Sequence, residues 1–180
     1  SGRTRYVDTA RIEMNEVSVY SMNLIGWGLV TDVGECAEQL RWLGPVRYLV
    51  SSVIQIFLKR DRMASLIIDG GKFDSDFTFI VACNSIHVGN GMKMAPNAKL
   101  DDGLIDLIVV EANITRRRLL SVLPKLFDGT HIAEPEVRYY QASSFSLLPA
   151  TNDNLNIDGE MIGTTPISVE VLHNAIEVFG

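Results

Sequence analysis

The sequence predicts a mainly β fold with helical insertions (α+β), in which an antiparallel β-sandwich carries helices at one end. Most apolar residues recur with a period of two, in short runs separated by turn residues. Helical spacing is confined to three stretches, and strands do not alternate with helices as they would in a doubly wound sheet. At 180 residues, the chain is long enough for a single domain, 1–180, with a substantial core.

The first third of the chain begins with strands and continues with helices. Arg5 to Met22 predicts two short antiparallel strands, because β-branched residues alternate with polar ones. Asn23 to Gly28 is small and apolar and is expected to be a connection. The period then changes, which predicts helices over Gly34 to Leu43 and from Pro45 to Leu58.

The rest of the chain returns to strands around one more helix. The strands are predicted over Ala64–Asp69, Phe73–Cys83, Leu104–Val110, Val137–Leu147, Leu155–Ile157 and Ile167–Val178. The first two form a hairpin with its turn at Gly70 and Gly71. A helix over Ile114 to Phe127 has Asn113 as its expected N-cap, and Pro124 should kink or shorten it.

Composition excludes several classes of protein. The chain is 47% hydrophobic and 21% charged, as in an ordinary globular protein. Its net charge of -6 argues against a nucleic-acid partner, which needs a clustered positive field. Cys36 and Cys83 lack metal-type spacing and are expected to be free thiols in a reducing compartment. No apolar run approaches the ~20 residues that span a bilayer, and the start at Ser1 reads as an excised domain.

The most informative stretch runs from Asn84 to Leu107. Gly89 and Gly91 permit unusual backbone angles, Pro96 fixes one, and Asp102-Gly103 is turn chemistry that leads into a strand. A surface hairpin would explain the last pair alone. A long loop with this many glycine, proline and turn residues at defined positions is typical of a functional segment.

Four motifs in this chain resemble a known family. They are the loop G-N-G-M-K-M-A-P-N-A-K-L-D-D-G-L-I-D-L, W-G-L-V-T-D-V at Trp27, R-W-L-G-P-V-R at Arg41 and L-N-I-D-G-E-M at Leu155. Their order and spacing are similar to those in the C-terminal domain of the diacylglycerol, sphingosine and ceramide kinases. The resemblance implies an antiparallel sandwich within a lipid kinase that uses ATP and Mg²⁺ to phosphorylate a lipid hydroxyl at a membrane surface.

The D-G-E triplet, Asp158-Gly159-Glu160, is the main candidate for chemistry. A D-G pair after a strand is commonly only a hairpin turn. Two carboxylates flanking a glycine can also hold Mg²⁺ and accept a proton while a nucleotide approaches the backbone. The resemblance implies that all three residues bind nucleotide and that Glu160 is the catalytic proton acceptor.

Arg41 and Arg47 are a second candidate pair. They flank a helix break at Gly44-Pro45, so both guanidinium groups could point into one cleft, although each alone reads as a surface arginine. The resemblance implies that both contact ATP phosphates.

Asp101 and Asp102 offer oxygen ligands for a hard cation in a tight turn. The resemblance implies a structural Mg²⁺ held by the Asp102 carboxylate and the carbonyls of Lys99 and Leu104. Asp106, which alternates along the following strand, is expected to face solvent.

The expected lipid-binding positions are Asp32 and Gly34. In sphingosine kinases, an acidic residue at the position of Gly34 grips the cationic head group, so its absence favours a neutral acceptor such as diacylglycerol or ceramide. Glu35 could substitute, which leaves sphingoid bases open. Met92 and Met94 fit either an acyl pocket or an ordinary core.

The chain lacks the family's G-G-D-G-T loop. The resemblance therefore implies a missing N-terminal nucleotide-binding domain as partner and an inactive fragment, with cytoplasmic, peripheral membrane association. The sequence is also compatible with a homodimer. Two other hypotheses are a non-catalytic lipid-binding or regulatory domain of the same fold and, less favoured, a soluble-substrate kinase of the NAD kinase type.

Overall fold

A computed structural model describes residues 4–15, 17–89 and 91–179. Within these residues there are eleven β-strands: β1 (Thr4–Met14), β2 (Val17–Ser21), β3 (Leu24–Gly28), β4 (Arg62–Ile68), β5 (Gly71–Cys83), β6 (Ile105–Glu111), β7 (Val137–Ala142), β8 (Ser144–Pro149), β9 (Asn154–Ile157), β10 (Glu160–Thr164) and β11 (Ile167–Phe179). The α-helices in the same ranges are α1 (Leu29–Gln39), α2 (Arg47–Leu58) and α3 (Arg116–Val122). Short 3₁₀ segments cover Arg41–Val46, Leu123–Leu126 and Thr130–Ala133.

The strands form one antiparallel sheet that branches at β5. The main order is β10-β9-β3-β5-β4-β8-β11-β1-β2, while β6 pairs with β5 and β7 pairs with β6. The first half of β5 pairs with β4, and its second half pairs with both β3 and β6. The prediction of a mainly β, antiparallel fold with helical insertions is therefore confirmed.

Two apolar clusters show how the sheet is curled. Strands from both ends of the order contribute side chains to one core, including Ile12 of β1, Leu66 of β4, Leu107 of β6 and Leu155 of β9. The sheet therefore folds over on itself around these residues, as in a sandwich. A second cluster lies between the outer side of β5 and β6 and the helices.

Several predicted boundaries were wrong. Asn23 to Gly28 is not a mere connection, since Leu24–Gly28 pairs with β5 and β9 as strand β3. The strand was not predicted because it contains two glycines, which are uncommon in strands. Gly28 has a φ of 82°, and a Cβ added there would lie 2.6 Å from the Thr78 carbonyl oxygen. The next helix consequently begins at Leu29 rather than at Gly34.

Later elements also differ from the prediction. Thr115, not Asn113, caps α3, because its side chain accepts a hydrogen bond from the Arg118 N–H. The helix stops at Val122, and Pro124 falls in a 3₁₀ segment, which confirms the predicted shortening. The strand predicted over Val137–Leu147 is divided at Ser143, where the backbone turns toward the Asp69 carboxylate. The strand β10 was not predicted.

We expect Trp27→Ala to lower the free energy of unfolding by about 3–5 kcal/mol. Trp27 is 1% exposed, packs edge-to-face on Phe77 and donates its indole N–H to Asp153 at 3.2 Å. Trp42 is 79% exposed, so Trp42→Ala is a matched control that should change stability by less than about 0.5 kcal/mol. Urea unfolding measures both. Equal effects of the two substitutions would contradict the burial described here.

Candidate functional site

The D-G-E triplet forms the turn between β9 and β10. Ile157 pairs with Glu160, so Asp158 and Gly159 are the two turn residues. Their φ angles are 53° and 93°, which matches the turn type that favours Asp-Gly in two-residue hairpins. The hairpin-turn interpretation is therefore correct about backbone geometry. Whether the triplet can also carry chemistry depends on the surroundings of the Asp158 and Glu160 carboxylates.

The Asp158 carboxylate accepts four hydrogen bonds from within the protein, although the residue itself is exposed. The donors are the Ser21 hydroxyl at 2.8 Å and the N–H groups of Met22, Asn23 and Leu24 at 2.8–2.9 Å. These donors form the turn between β2 and β3. The Asp158 side chain thus links the β9–β10 turn to the β2–β3 turn.

Glu160 has the opposite environment. It is exposed at the start of β10, and within the described residues its carboxylate has no hydrogen bond or ion pair. Nothing lies within 4 Å of a Cβ built on Gly159, so the turn backbone is also open to a ligand. Of the two carboxylates in the triplet, Glu160 is the one available to an incoming molecule.

Helix α1 packs directly on this hairpin. A Cβ on Gly34 would lie 2.5 Å from Met161 Cε and 2.8 Å from Asn156 Nδ2, so the absence of a side chain allows the close approach. One residue later, Glu35 accepts a hydrogen bond from Asn154 Nδ2 at 2.8 Å. The predicted lipid position Gly34 is thus a packing contact against the D-G-E hairpin.

Arg41 and Arg47 meet on the same acidic side chain. Arg41 forms an ion pair with Glu38 at the end of α1, and Arg47 Nη2 lies 3.8 Å from the other oxygen of that carboxylate. Gly44, with a φ of 58°, breaks the helical path between them. The Arg47 guanidinium also stacks over the Tyr48 ring at 4.9 Å. The sequence break therefore brings both guanidinium groups to one place.

Asp32 is held by an arginine rather than left free. Its carboxylate accepts two hydrogen bonds from Arg62 Nη2, at 2.8 and 3.0 Å. Arg62 Nε also lies 3.5 Å from the Asp153 carboxylate. A polar cavity of ≈ 160 Å³ opens beside this cluster, lined by Gly28, Thr31, Asp32, Glu35, Arg62, Asp153 and Asn154.

The predicted metal loop is anchored by a buried carboxylate that the sequence analysis did not single out. Asp8 is 0% exposed and accepts hydrogen bonds from the Gly103 N–H at 2.6 Å and the Asn174 N–H at 2.7 Å. Its own N–H donates to the Leu100 carbonyl at 2.6 Å. Within the loop, Asp102 Oδ1 accepts from the Leu104 N–H at 3.1 Å. The loop is thus fixed in place on β1 and β11.

Asp106 is buried, so the expectation that it faces solvent was wrong. Its Oδ1 accepts hydrogen bonds from the Tyr139 hydroxyl at 2.5 Å and Gln141 Nε2 at 3.1 Å, and its Oδ2 has no partner. Burial raises the pKa of the Asp106 carboxyl, the two hydrogen bonds lower it, and the charge of Asp102 raises it further. Alternation failed as a signal because β6 lies between β5 and β7 with both faces covered.

This loop fits a hard cation by its chemistry. Nowhere in residues 4–15, 17–89 and 91–179 do three or more His, Cys, Asp or Glu side chains form a metal cluster. A cation here would therefore depend on the Asp102 carboxylate and on backbone carbonyls such as those of Lys99 and Leu104. The unpaired Asp106 Oδ2, coupled electrostatically to Asp102, is the observation that favours a positive charge at this position.

An apolar cleft separates the helices from the sheet. It is lined by side chains of all three helices and of β5 and β6, among them Val33, Ile56, Met92, Met94, Ile108 and Leu123. Polar lining groups are Ser52 and His131, and burial lowers the pKa of His131. A second apolar cavity, of ≈ 230 Å³, shares the lining residues Ser52, Met92 and Leu123 with the cleft and lies beside Leu49 and Phe127. Met92 and Met94 thus serve both as core residues and as cleft walls.

Comparison with known proteins identifies the family. A family model described as the YegS C-terminal NAD kinase beta sandwich-like domain matches residues 23–180. The chain belongs to this family. This YegS-like domain is 30% identical over 94% of its length to a diacylglycerol kinase of Staphylococcus saprophyticus, of which it covers 56%. It is 27% identical over 89% of its length to sphingosine kinase 1 of Arabidopsis thaliana, covering 43% of that protein.

A solved structure shares the fold of the YegS-like domain. It is described as a putative diacylglycerol kinase from Bacillus anthracis, with a TM-score of 0.74 and 22% identity over 97% of this chain and 56% of that one. The chain thus spans about half the length of the relatives it matches. In the described part of the YegS-like domain no helix is long and apolar enough to cross a membrane.

We expect Asp158→Asn to destabilise the YegS-like domain by about 2–3 kcal/mol, because hydrogen bonds to a charged acceptor contribute about 1.5–3 kcal/mol each and the amide retains only part of them. Asparagine tolerates the positive φ, so the change isolates the carboxylate. Urea unfolding measures the loss. The exposed Asp101→Asn should have no effect, and an unchanged midpoint for Asp158→Asn would show that the four hydrogen bonds contribute little.

Proposed function

We propose that this chain is the nucleotide- and lipid-contacting C-terminal part of an ATP- and Mg²⁺-dependent kinase that phosphorylates a hydroxyl of a neutral lipid. The observation that carries the proposal is that α1 holds both candidate phosphate-facing groups. At Gly34 the helix packs on the hairpin that presents Glu160, and at Glu38 it gathers Arg41 and Arg47.

Each group has a definite role in phosphoryl transfer. The free Glu160 carboxylate accepts the proton of the lipid hydroxyl while the hydroxyl oxygen bonds to the terminal phosphorus of ATP, and the bond from that phosphorus to the bridging oxygen breaks so that ADP leaves. Arg41 and Arg47 exchange Glu38 for phosphate oxygens, for which planar guanidinium groups are suited. Because Asp158 accepts four hydrogen bonds from the β2–β3 turn, we assign the nucleotide contact at this turn to the Gly159 backbone, with Asp158 positioning the turn.

The apolar cleft is the proposed acyl site. Its walls are almost entirely hydrocarbon, and it opens at the surface beside Leu49 and Phe127. A non-catalytic lipid-binding domain would use the same cleft. The unpaired Glu160 favours the kinase, because lipid binding alone has no use for a free carboxylate on the hairpin.

The surroundings of Gly34 favour a neutral acceptor. A cationic sphingoid base needs a free carboxylate as counter-charge. Gly34 supplies none, Asp32 is paired with Arg62, and Glu35 accepts from Asn154. Diacylglycerol or ceramide therefore fits better than sphingosine.

A phosphate-transfer assay on the full-length protein that carries this chain tests the proposal. Diacylglycerol, ceramide and sphingosine are offered side by side with labelled ATP, and we expect transfer to a neutral lipid. Glu160→Gln should lower turnover by about 10²–10⁴-fold, since it removes a positioned general base. Because Glu160 has no partner among the described residues, the unfolding midpoint of the Glu160→Gln variant should equal that of the wild type. Glu13→Gln, at another exposed glutamate, is the control and should keep wild-type turnover. Transfer to none of the lipids would refute the proposal.

We further propose that the Asp102 carboxylate and the carbonyls of Lys99 and Leu104 hold Mg²⁺. A cation held there would supply positive charge close to the Asp102 carboxylate. At 100-fold excess over its dissociation constant, Mg²⁺ should stabilise the 180-residue chain by about 2.7 kcal/mol. Asp102→Ala should abolish this increment in a thermal melt, whereas Asp101→Ala should keep it. A melting temperature that does not respond to Mg²⁺ would contradict the site.

A further inference from the structure

Helix α2 presents its apolar side to solvent. Val46, just before the helix, and Val50, Val53 and Phe57 follow one another at spacings of four, three and four residues, so they form one stripe. None of the four is buried, and Phe57 is 61% exposed. Leu49, Ile54 and Leu58 widen the stripe and are themselves exposed.

The inward side of α2 carries one buried apolar residue, Ile56, beside two serines. Ser51 is 0% exposed with an unpaired hydroxyl, and the Ser52 hydroxyl donates to the Tyr48 carbonyl at 2.7 Å. Burial in the core therefore does not explain the valines and aromatic residue on the outside. An exposed contiguous apolar stripe of this kind is typical of a surface that contacts a partner or a membrane.

Unpaired arginines surround the C-terminal end of the stripe. Arg116 Nε donates to the Phe57 carbonyl at 3.0 Å, which places the start of α3 against the end of α2. Arg60, Arg116 and Arg117 are exposed, and none has an acidic partner in the part of the chain that the structure describes. The nearby acids are already paired, Asp61 with Lys59 and Glu111 with Arg138.

We infer that the α2 stripe docks into an anionic phospholipid surface, with Arg60, Arg116 and Arg117 contacting the head groups. This inference rests on the proposed function, which needs a lipid taken from a membrane. The charge distribution favours an anionic membrane over other partners. Although the chain has a net charge of -6, three arginines without acidic partners in the described residues lie beside the exposed apolar stripe, as in helices that bind the membrane interface. The stripe also reaches Leu49 at the opening of the apolar cleft, so a lipid can enter without crossing water.

Vesicle binding by the 180-residue chain tests this inference. Phosphatidylcholine vesicles are compared with vesicles in which about one third of the lipid is phosphatidylserine, at low and high salt. We expect tighter binding to the anionic vesicles, weakened by salt. Arg116→Ala with Arg117→Ala should weaken that binding roughly 30-fold, about five-fold per arginine. Phe57→Ala with Leu58→Ala should weaken it at least about ten-fold.

Matched controls separate this surface from general charge and hydrophobicity. Arg5→Ala with Lys72→Ala removes the same charge from exposed positions on β1 and β5, and Tyr20→Ala removes an exposed aromatic residue from β2. Both should bind anionic vesicles like wild type. Equal losses in the controls, no preference for phosphatidylserine, or no binding to any vesicle would overturn the inference. Vesicle binding by the 180-residue chain but not by the full-length protein would also overturn it, since another part of the protein would then cover the stripe.

The outcome is independent of catalysis, because vesicle binding requires neither ATP nor turnover. A full-length protein that binds anionic vesicles yet transfers no phosphate would refute the proposed function and leave the docking surface standing. If the full-length protein transfers phosphate but its Arg116 and Arg117 variants bind vesicles normally, the docking surface would be refuted and the proposed function would stand.

Discussion

Strand β5 is the constraint on which the rest of the structure depends. Its first half pairs with β4 alone, and its second half is hydrogen-bonded along both edges, to β3 and to β6. The functional parts are attached to that second half. Through β3 it supports β9 and the D-G-E hairpin, and through β6 it supports the strand that leaves the candidate metal loop. Its outer side, with Phe79, forms part of the cleft floor. A change in the register of β5 would therefore displace the proposed nucleotide, metal and lipid sites together.

The sequence predicted those parts of the fold whose local chemistry agrees with their tertiary environment. The β4–β5 hairpin was predictable because alternation and a Gly-Gly turn occur together. Strand β3 was missed because its glycines reflect tertiary packing and not local strand preference: Gly28 approaches the β5 backbone, and Gly26 lies against Val30 and Asn156. Asp106 was wrongly predicted to face solvent, because the alternation rule assumes that one face of the strand is exposed. Both faces of β6 are covered. Motif positions predicted which residues belong to the candidate site, but the partners of each side chain depend on elements far away in sequence.

Asp158 and Glu160 show why a motif alone does not assign roles. Two carboxylates stand on either side of one glycine, yet one meets a ring of donors and the other meets solvent. The donors come from the β2–β3 turn, more than a hundred residues earlier, so no local pattern could reveal them. The Asp158 carboxylate fixes the geometry of the turn through its four hydrogen bonds, and this turn positions Glu160, the proposed general base.

Gly34 connects this geometry to lipid choice. A Cβ on position 34 would lie 2.5 Å from Met161 Cε and 2.8 Å from Asn156 Nδ2, which are both ends of side chains on the two strands of the D-G-E hairpin. A carboxylate at this position would therefore require these two side chains to rearrange close to Glu160. The proposed preference for a neutral acceptor has the same origin, because hairpin side chains occupy the space that an acidic head-group ligand at position 34 would need.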